Sequence, residues 1–113
     1  MILDINLTRY SLLLEQPLRL TDSAWQEHIP FAFFITDLLR PKCFVELGTH
    51  KGDSYCAFCQ AVAALELDTC CYAIDTWKGD PHAGEYGKEV LQDLQEHHDP
   101  LYESFSRLIK STF

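Results

Sequence analysis

Cys43-Phe44-Val45-Glu46-Leu47-Gly48-Thr49-His50-Lys51-Gly52-Asp53-Ser54 decides the fold of this 113-residue chain. A short apolar run with a β-branched Val45 lies between Pro41 and Gly48, which predicts a buried strand over Cys43–Leu47. The run ends in a carboxylate, Glu46, and passes into a turn carrying Gly48 and Gly52. Asp53 and Ser54 then stand where a helix N-terminus favours acceptors. Tyr55, Phe58, Cys59, Val62 and Leu65 give that helix its buried face. Cys70–Ile74 is a second apolar run, and it too ends in an acid, Asp75. Strand, helix and strand in this order predict a βαβ unit with a parallel sheet.

Working outward, Phe31, Phe34, Ile35, Leu38 and Leu39 follow helical spacing, so a helix should lead into the first strand and stop at Arg40-Pro41. Pro30 fits its first turn. Ser23, with Gln26 three residues on, reads as a capping box further upstream. Residues 1–20 are a weakly patterned lead-in; Tyr10–Leu14 reads as a short helix or strand ended by Pro17. Downstream, Thr76–Gly87 holds three glycines and a proline and reads as a loop. Tyr86, Val90, Leu91 and Leu94 predict a helix, broken at His97-His98-Asp99-Pro100. Leu101, Phe105, Leu108 and Ile109 predict another, and Ser111-Thr112-Phe113 the onset of a third strand. The fold expected is α/β: a Rossmann-like three-layer sandwich with a parallel sheet, truncated after the start of the third strand.

Composition narrows the function classes. Nine Lys and Arg against seventeen Asp and Glu give a net charge of −8. Such a balance excludes general affinity for nucleic acid or an anionic membrane, which need basic patches. No stretch approaches the ~18 consecutive apolar residues of a membrane helix. No basic start with a sustained apolar core marks a signal peptide. Five cysteines, an odd number, fall in strand and helix patterns and suit buried thiols in a reducing cytosol. A zinc reading of Cys56, Cys59, Cys70 and Cys71 is disfavoured, because adjacent strand residues point to opposite faces. His97 and His98 read as a solvated helix end rather than metal ligands, and no metal is expected.

The glycine turn specifies what kind of ligand it suits. A dinucleotide fingerprint needs G-x-G-x-x-G, and from Gly48 its second and third positions hold His50 and Asp53. An acid at the helix start repels phosphate. A phosphate-free nucleoside with a cationic, zwitterionic tail would instead welcome Glu46 and Asp53. Asp75, roughly 20 residues past the turn, stands where a carboxylate accepts both hydroxyls of a ribose. Trp77 either covers the adenine or ribose or anchors the loop after Asp75. Asp80 and His82 read as loop polar groups.

Val45–Ser54 resembles the first motif of class I S-adenosylmethionine-dependent methyltransferases, and Tyr72-Ala73-Ile74-Asp75 resembles their second. Asp75–Asp80 with His82–Gly87, and Ser23–Pro30, are similar to a bacterial subgroup often found near or fused to glycosyltransferases. The resemblance covers residues 20–113. It implies a cofactor, S-adenosylmethionine, and methyl transfer to a small-molecule or sugar acceptor. It implies that Glu46, Gly48 and Gly52 line the methionine side and that Asp75 holds the ribose; Thr49 and Ser54 of the same motif are further cofactor-binding candidates. It implies a seven-stranded sheet, of which residues 21–113 would be the N-terminal half; the part carrying the fourth-strand motif is absent. A chain of this kind is expected to bind cofactor within a larger enzyme. The competing reading is a non-catalytic interaction subunit whose exposed sheet edge is completed by a second copy. A nicotinamide-dependent oxidoreductase is disfavoured by the failed glycine fingerprint.

Overall fold

The computed structural model describes residues 15–21, 28–80, 84–85 and 87–112. The capping box at Ser23 and Gln26, the element at Tyr10–Leu14, and His82, Tyr86 and Phe113 lie outside the described residues. The elements run α1 (Ile29–Leu39), β1 (Cys43–Leu47), α2 (Asp53–Ala64), β2 (Cys70–Asp75), β3 (Gly79–Asp80), β4 (Gly84–Glu85), α3 (Lys88–Tyr102) and β5 (Ser106–Lys110). β1, β2 and β5 form a parallel sheet in that order. The register sets Glu46 beside Ala73 and Asp75 beside Lys110. This is the expected Rossmann-like α/β arrangement.

The sheet's core face is made by alternation. Cys71, Ala73 and Asp75 of β2 are buried, and Ser106 opens β5 on the same side. Against them pack Tyr55, Cys56, Cys59 and Val62 of α2 and Leu94 and Tyr102 of α3. α2 lies between the sheet and α1, so it buries two faces rather than the one its larger side chains suggested. Ala57 and Ala61 face Ile29, Ala32 and Phe33 of α1, and their small size lets the helices approach closely. That contact rotates α1 from the expected face: Phe31 and Leu39 are 57% and 66% exposed, while Ala32 and Phe33 are fully buried. Pro30 sits in the first turn of α1 as expected. Arg40, in the left-handed region at φ 44°, ends the helix with its amide on the Thr36 carbonyl.

Three expectations are corrected. Among the described residues β1 pairs with β2 alone and is not buried; Cys43, Val45 and Leu47 are exposed on the face the described helices leave open. Cys43 and Cys70 are therefore exposed thiols, whereas Cys56, Cys59 and Cys71 are buried. α3 does not break at His97–Pro100; it continues through Pro100 to Tyr102. A mid-helix proline costs a backbone bond. Leu94, His98 and Tyr102, spaced four apart on one buried stripe, outweigh that cost. The separate helix expected over Leu101–Ile109 is instead the end of α3, a turn and β5, so the third strand is complete at Lys110, ahead of its expected onset at Ser111. The loop Thr76–Gly87 also contains the two-residue pairing of β3 with β4.

The core between α2, α3 and β5 carries a polar knot. Ser106 Oγ meets the Tyr55 hydroxyl at 2.5 Å and His98 Nε2 at 2.7 Å, and it accepts from Cys59 Sγ at 3.7 Å. His98 Nδ1 lies 2.7 Å from Asp99 Oδ1. His98 is thus a satisfied core histidine, 1% exposed, and not the solvated helix end its neighbours suggested. Burial pushes the Tyr55 phenol well above its ordinary value, so the hydroxyl stays protonated and available to donate.

Candidate functional site

The C-terminal ends of β1 and β2 stand side by side, as adjacent parallel strands must. They bring together Glu46, the Gly48–Gly52 turn, Ser54, Asp75 and Trp77. The turn leaves β1 at Gly48, whose φ of 81° needs a glycine and whose amide donates to the Ile74 carbonyl at 2.8 Å. It re-enters α2 at Gly52, with φ 84° and its amide on the Thr49 carbonyl at 3.0 Å. A side chain at Gly52 would meet Leu94 Cδ1 at 2.4 Å. Gly52 is therefore required by backbone conformation and by packing against α3; the approach it permits is that of Leu94.

Glu46 is the least satisfied group at this corner. Its Oε2 accepts from Ser54 Oγ at 2.7 Å. Its Oε1 and the neighbouring Thr49 Oγ1 are both buried without a hydrogen-bond partner. Burial is the main force lifting the Glu46 carboxyl from 4.5 to about 7; the bonded Ser54 hydroxyl pulls it down, as does the Thr49 hydroxyl, close enough to act on the carboxyl without making a hydrogen bond to it, and the Asp75 charge adds to the rise. A carboxyl so placed gains from any cationic donor that reaches Oε1.

Asp75 fastens the site. Its Oδ2 accepts from the His50 amide and its Oδ1 from the Trp77 amide, at 2.8 and 2.9 Å. Both donors belong to residues in the left-handed region, His50 at φ 54° and Trp77 at φ 50°. Non-glycine residues hold such conformations only when their surroundings over-determine them. The Trp77 indole closes the arrangement by donating Nε1–H to the His50 carbonyl at 2.9 Å. An ionised carboxylate has about four acceptor positions, so each Asp75 oxygen keeps capacity for a further donor.

Trp77 is 2% exposed and belongs to the core cluster. Of its two expected roles, anchoring the loop is the one its indole hydrogen bond performs, and at 2% exposure little of the ring is free for a base to stack on. Asp53 is also reassigned. Its carboxylate accepts from the Thr21 amide and hydroxyl at 2.8 and 2.7 Å and lies 3.9 Å from Arg19 Nε. With its charge turned to that partner, Asp53 contributes little to any ligand at the turn. Nor do Asp53 and Ser54 cap α2: its N-cap is Gly52, without a side-chain cap.

Arg19 and Thr21 reach this corner from outside the glycine-turn motif, and neither was expected at it. The available signal was a lone arginine between Leu18 and Leu20, followed at once by a threonine. Pocket-like space also lies away from this corner. A cavity of about 430 Å³ is lined by Trp77, Lys88, Leu91, Gln92, Gln95 and Lys110, and one of about 560 Å³ runs past His98, Asp99, Ser106 and Arg107. Among the described residues no helix is long and apolar enough to cross a membrane.

The profile of a family described as "Methyltransferase domain" matches residues 45–113. An uncharacterized protein of Sinorhizobium fredii (strain NBRC 101917 / NGR234), y4gI, is 53% identical over 91 residues, covering 80% of this chain and 10% of its own length. The chain thus spans about a tenth of that relative. A crystal structure from Staphylococcus aureus, titled as a candidate caffeoyl-CoA O-methyltransferase, superposes with a TM-score of 0.55 at 16% identity. The match covers 94% of this chain and 42% of that one, and at this identity it speaks to the fold.

Proposed function

The chain belongs to the methyltransferase-domain family, and from that premise we propose that its β1–β2 corner binds S-adenosylmethionine for methyl transfer. The observation carrying this reading is the pair of buried, unpartnered atoms at the turn, Glu46 Oε1 and Thr49 Oγ1. An amino-acid tail supplies what each lacks: an ammonium to donate to Glu46 and a carboxylate to accept from Thr49. The second carboxylate, Asp75, makes the corner electronegative and suits a cationic ligand over a phosphate. Asp75 would take ribose hydroxyls on the acceptor positions its two backbone bonds leave free.

The cofactor, when bound, supplies a methyl group made electrophilic by its sulfonium. The residues of this chain bind and orient it. Glu46 fixes the amino-acid end, the Gly48–Gly52 turn fixes the approach, and Asp75 with Trp77 keeps the turn in place. Alignment of nucleophile, methyl and sulfur supplies much of the rate in such transfers, so a general base is not required of this corner. The acceptor we propose is a small molecule or sugar. Five free cysteines fit a reducing compartment such as the cytoplasm.

A second reading rests on the outer edge of β1, which has no strand partner among the described residues, with Val45 and Leu47 50% and 58% exposed beside it. Such an edge templates pairing with another strand, so the chain can act as a subunit whose sheet is completed by a second copy. Sizing chromatography separates the two readings: a monomer that binds cofactor rules out the second. Calorimetric titration with S-adenosylmethionine and with NAD tests the first. Saturable heat with the former alone is expected, and saturable heat with NAD alone would overturn it.

A further inference from the structure

The segment Gln16–Thr21 runs along α2 as a strap. Gln60 of α2 holds it at one end, donating Nε2–H to the Gln16 carbonyl at 2.9 Å and accepting from the Leu18 amide at 2.8 Å. Asp53, the first residue of α2, holds it at the other through Thr21. Between them Arg19 turns inward, its side chain only 7% exposed. Its Nε donates to the Lys51 carbonyl at 2.8 Å, and its Nη2 donates to Asp93 Oδ2 of α3, also at 2.8 Å. Lys51 lies in the turn between His50 and Gly52. One guanidinium therefore ties the strap, the turn and α3 together.

We propose that Arg19 is a positioning residue for the cofactor turn: braced on Asp93 and facing Asp53, it grips the Lys51 carbonyl and fixes Thr49–Gly52 for binding. The inference rests on the cofactor reading above. Asp75 and Trp77 hold the turn from the β2 side, by the His50 amide and carbonyl. Arg19 holds it from the opposite side, one peptide further on. The left-handed residues His50 and Gly52 flank the carbonyl it grips, so its loss frees the part of the turn that strain would relax first. The geometry demands arginine. A rigid fork reaches a carbonyl and a carboxylate at once, whereas a lysine ammonium is a point charge on a flexible stem. The buried Asp53 carboxylate, 1% exposed, needs a cation nearby, and lysine can still supply that.

The test compares Arg19→Lys with Thr21→Val in the 113-residue chain. Thr21→Val removes a strap bond to Asp53 without touching the turn carbonyl. Three quantities are read: the melting temperature, amide hydrogen exchange across residues 49–53, and calorimetric affinity for S-adenosylmethionine. Arg19→Lys is expected to raise exchange across 49–53 and weaken binding by about tenfold, the worth of one charge-assisted hydrogen bond. Thr21→Val is expected to lower the melting temperature while leaving exchange and affinity at the turn unchanged. Wild-type exchange and affinity in Arg19→Lys would overturn the proposal, as would equal weakening in both variants for equal loss of stability. If the wild-type chain itself binds no S-adenosylmethionine, the cofactor reading falls, and exchange in the two variants still decides whether Arg19 holds the turn.

Discussion

Replacing Glu46 by glutamine separates the stability of this corner from its binding. In the folded chain the carboxyl is held at about 7, chiefly by burial, against an ordinary 4.5. Between those values the folded state keeps a proton that the unfolded chain has released. The stability this group contributes is complete below about pH 4.5 and is lost as pH rises through 7. A gap of about 2.5 pH units at about 1.4 kcal/mol each caps the loss at about 3–4 kcal/mol. The side-chain amide of the variant keeps an acceptor for Ser54 and carries no charge to desolvate. Urea unfolding of Glu46→Gln and wild type from pH 4.5 to 8.5 reads the difference directly, since every other titrating group is common to both. The wild type should fall relative to the variant as pH rises, by up to about 3–4 kcal/mol at pH 8.5. The stabler variant should nonetheless lose affinity for S-adenosylmethionine. A stability difference that stays constant across this range would refute the assignment of a raised carboxyl to Glu46. The same linkage acts on binding. A ligand ammonium prefers the carboxylate, so affinity should climb with pH through 7, with protons released on binding.

Other substitutions test the supports of the site. Gly52→Ala places a methyl against Leu94 and an alanine in the left-handed region; it should cost about 2–4 kcal/mol in urea unfolding. Ser106→Ala strands the Tyr55 hydroxyl and His98 Nε2 in the core, and a loss of about 1–3 kcal/mol is expected by the same assay. Asp75→Asn offers one carbonyl oxygen where two backbone amides now find acceptors; calorimetry should show S-adenosylmethionine binding weakened by about tenfold or more. Asp75→Ala is the poorer probe, because it frees both His50 and Trp77 as well as removing a ribose contact.

The legible part of the fold was the part that local chemistry dictates. β1, α2 and β2 follow from two short apolar runs, a glycine turn and a helical stripe, and the structure places them there. The C-terminal part misled because Pro100 reads as a stop and Leu108-Ile109 extend a helical spacing from Leu101. Tertiary contact reversed both readings. His98 and Tyr102 are buried against α2 and β5, which carries the helix through the proline. Ser106, a polar residue, takes the innermost position of β5 because Tyr55 and His98 satisfy its hydroxyl. Burial of β1 was overestimated for a related reason: an apolar strand reads alike at the centre and at the edge of a sheet.

The site was partly legible on the same terms. Glu46 and Asp75 stand at strand ends because acids there close an apolar run, and a sequence displays that directly. What each carboxylate touches was hidden. Asp53 appeared to face the ligand but answers Thr21 and Arg19, more than 30 residues away in sequence. Trp77 appeared free to stack but is committed to the His50 carbonyl. Contacts of such long range have no periodicity to announce them.

The central claim is that S-adenosylmethionine sits on the turn between β1 and α2 beside Asp75. At 13.0 kDa the chain suits amide-resolved NMR, and titrating the ¹⁵N-labelled protein with S-adenosylmethionine locates the ligand in one experiment. Saturable shifts concentrated at Glu46–Ser54 and Asp75–Trp77 are predicted. Absence of shifts, or shifts gathered instead along the groove between α3 and β5, would contradict it.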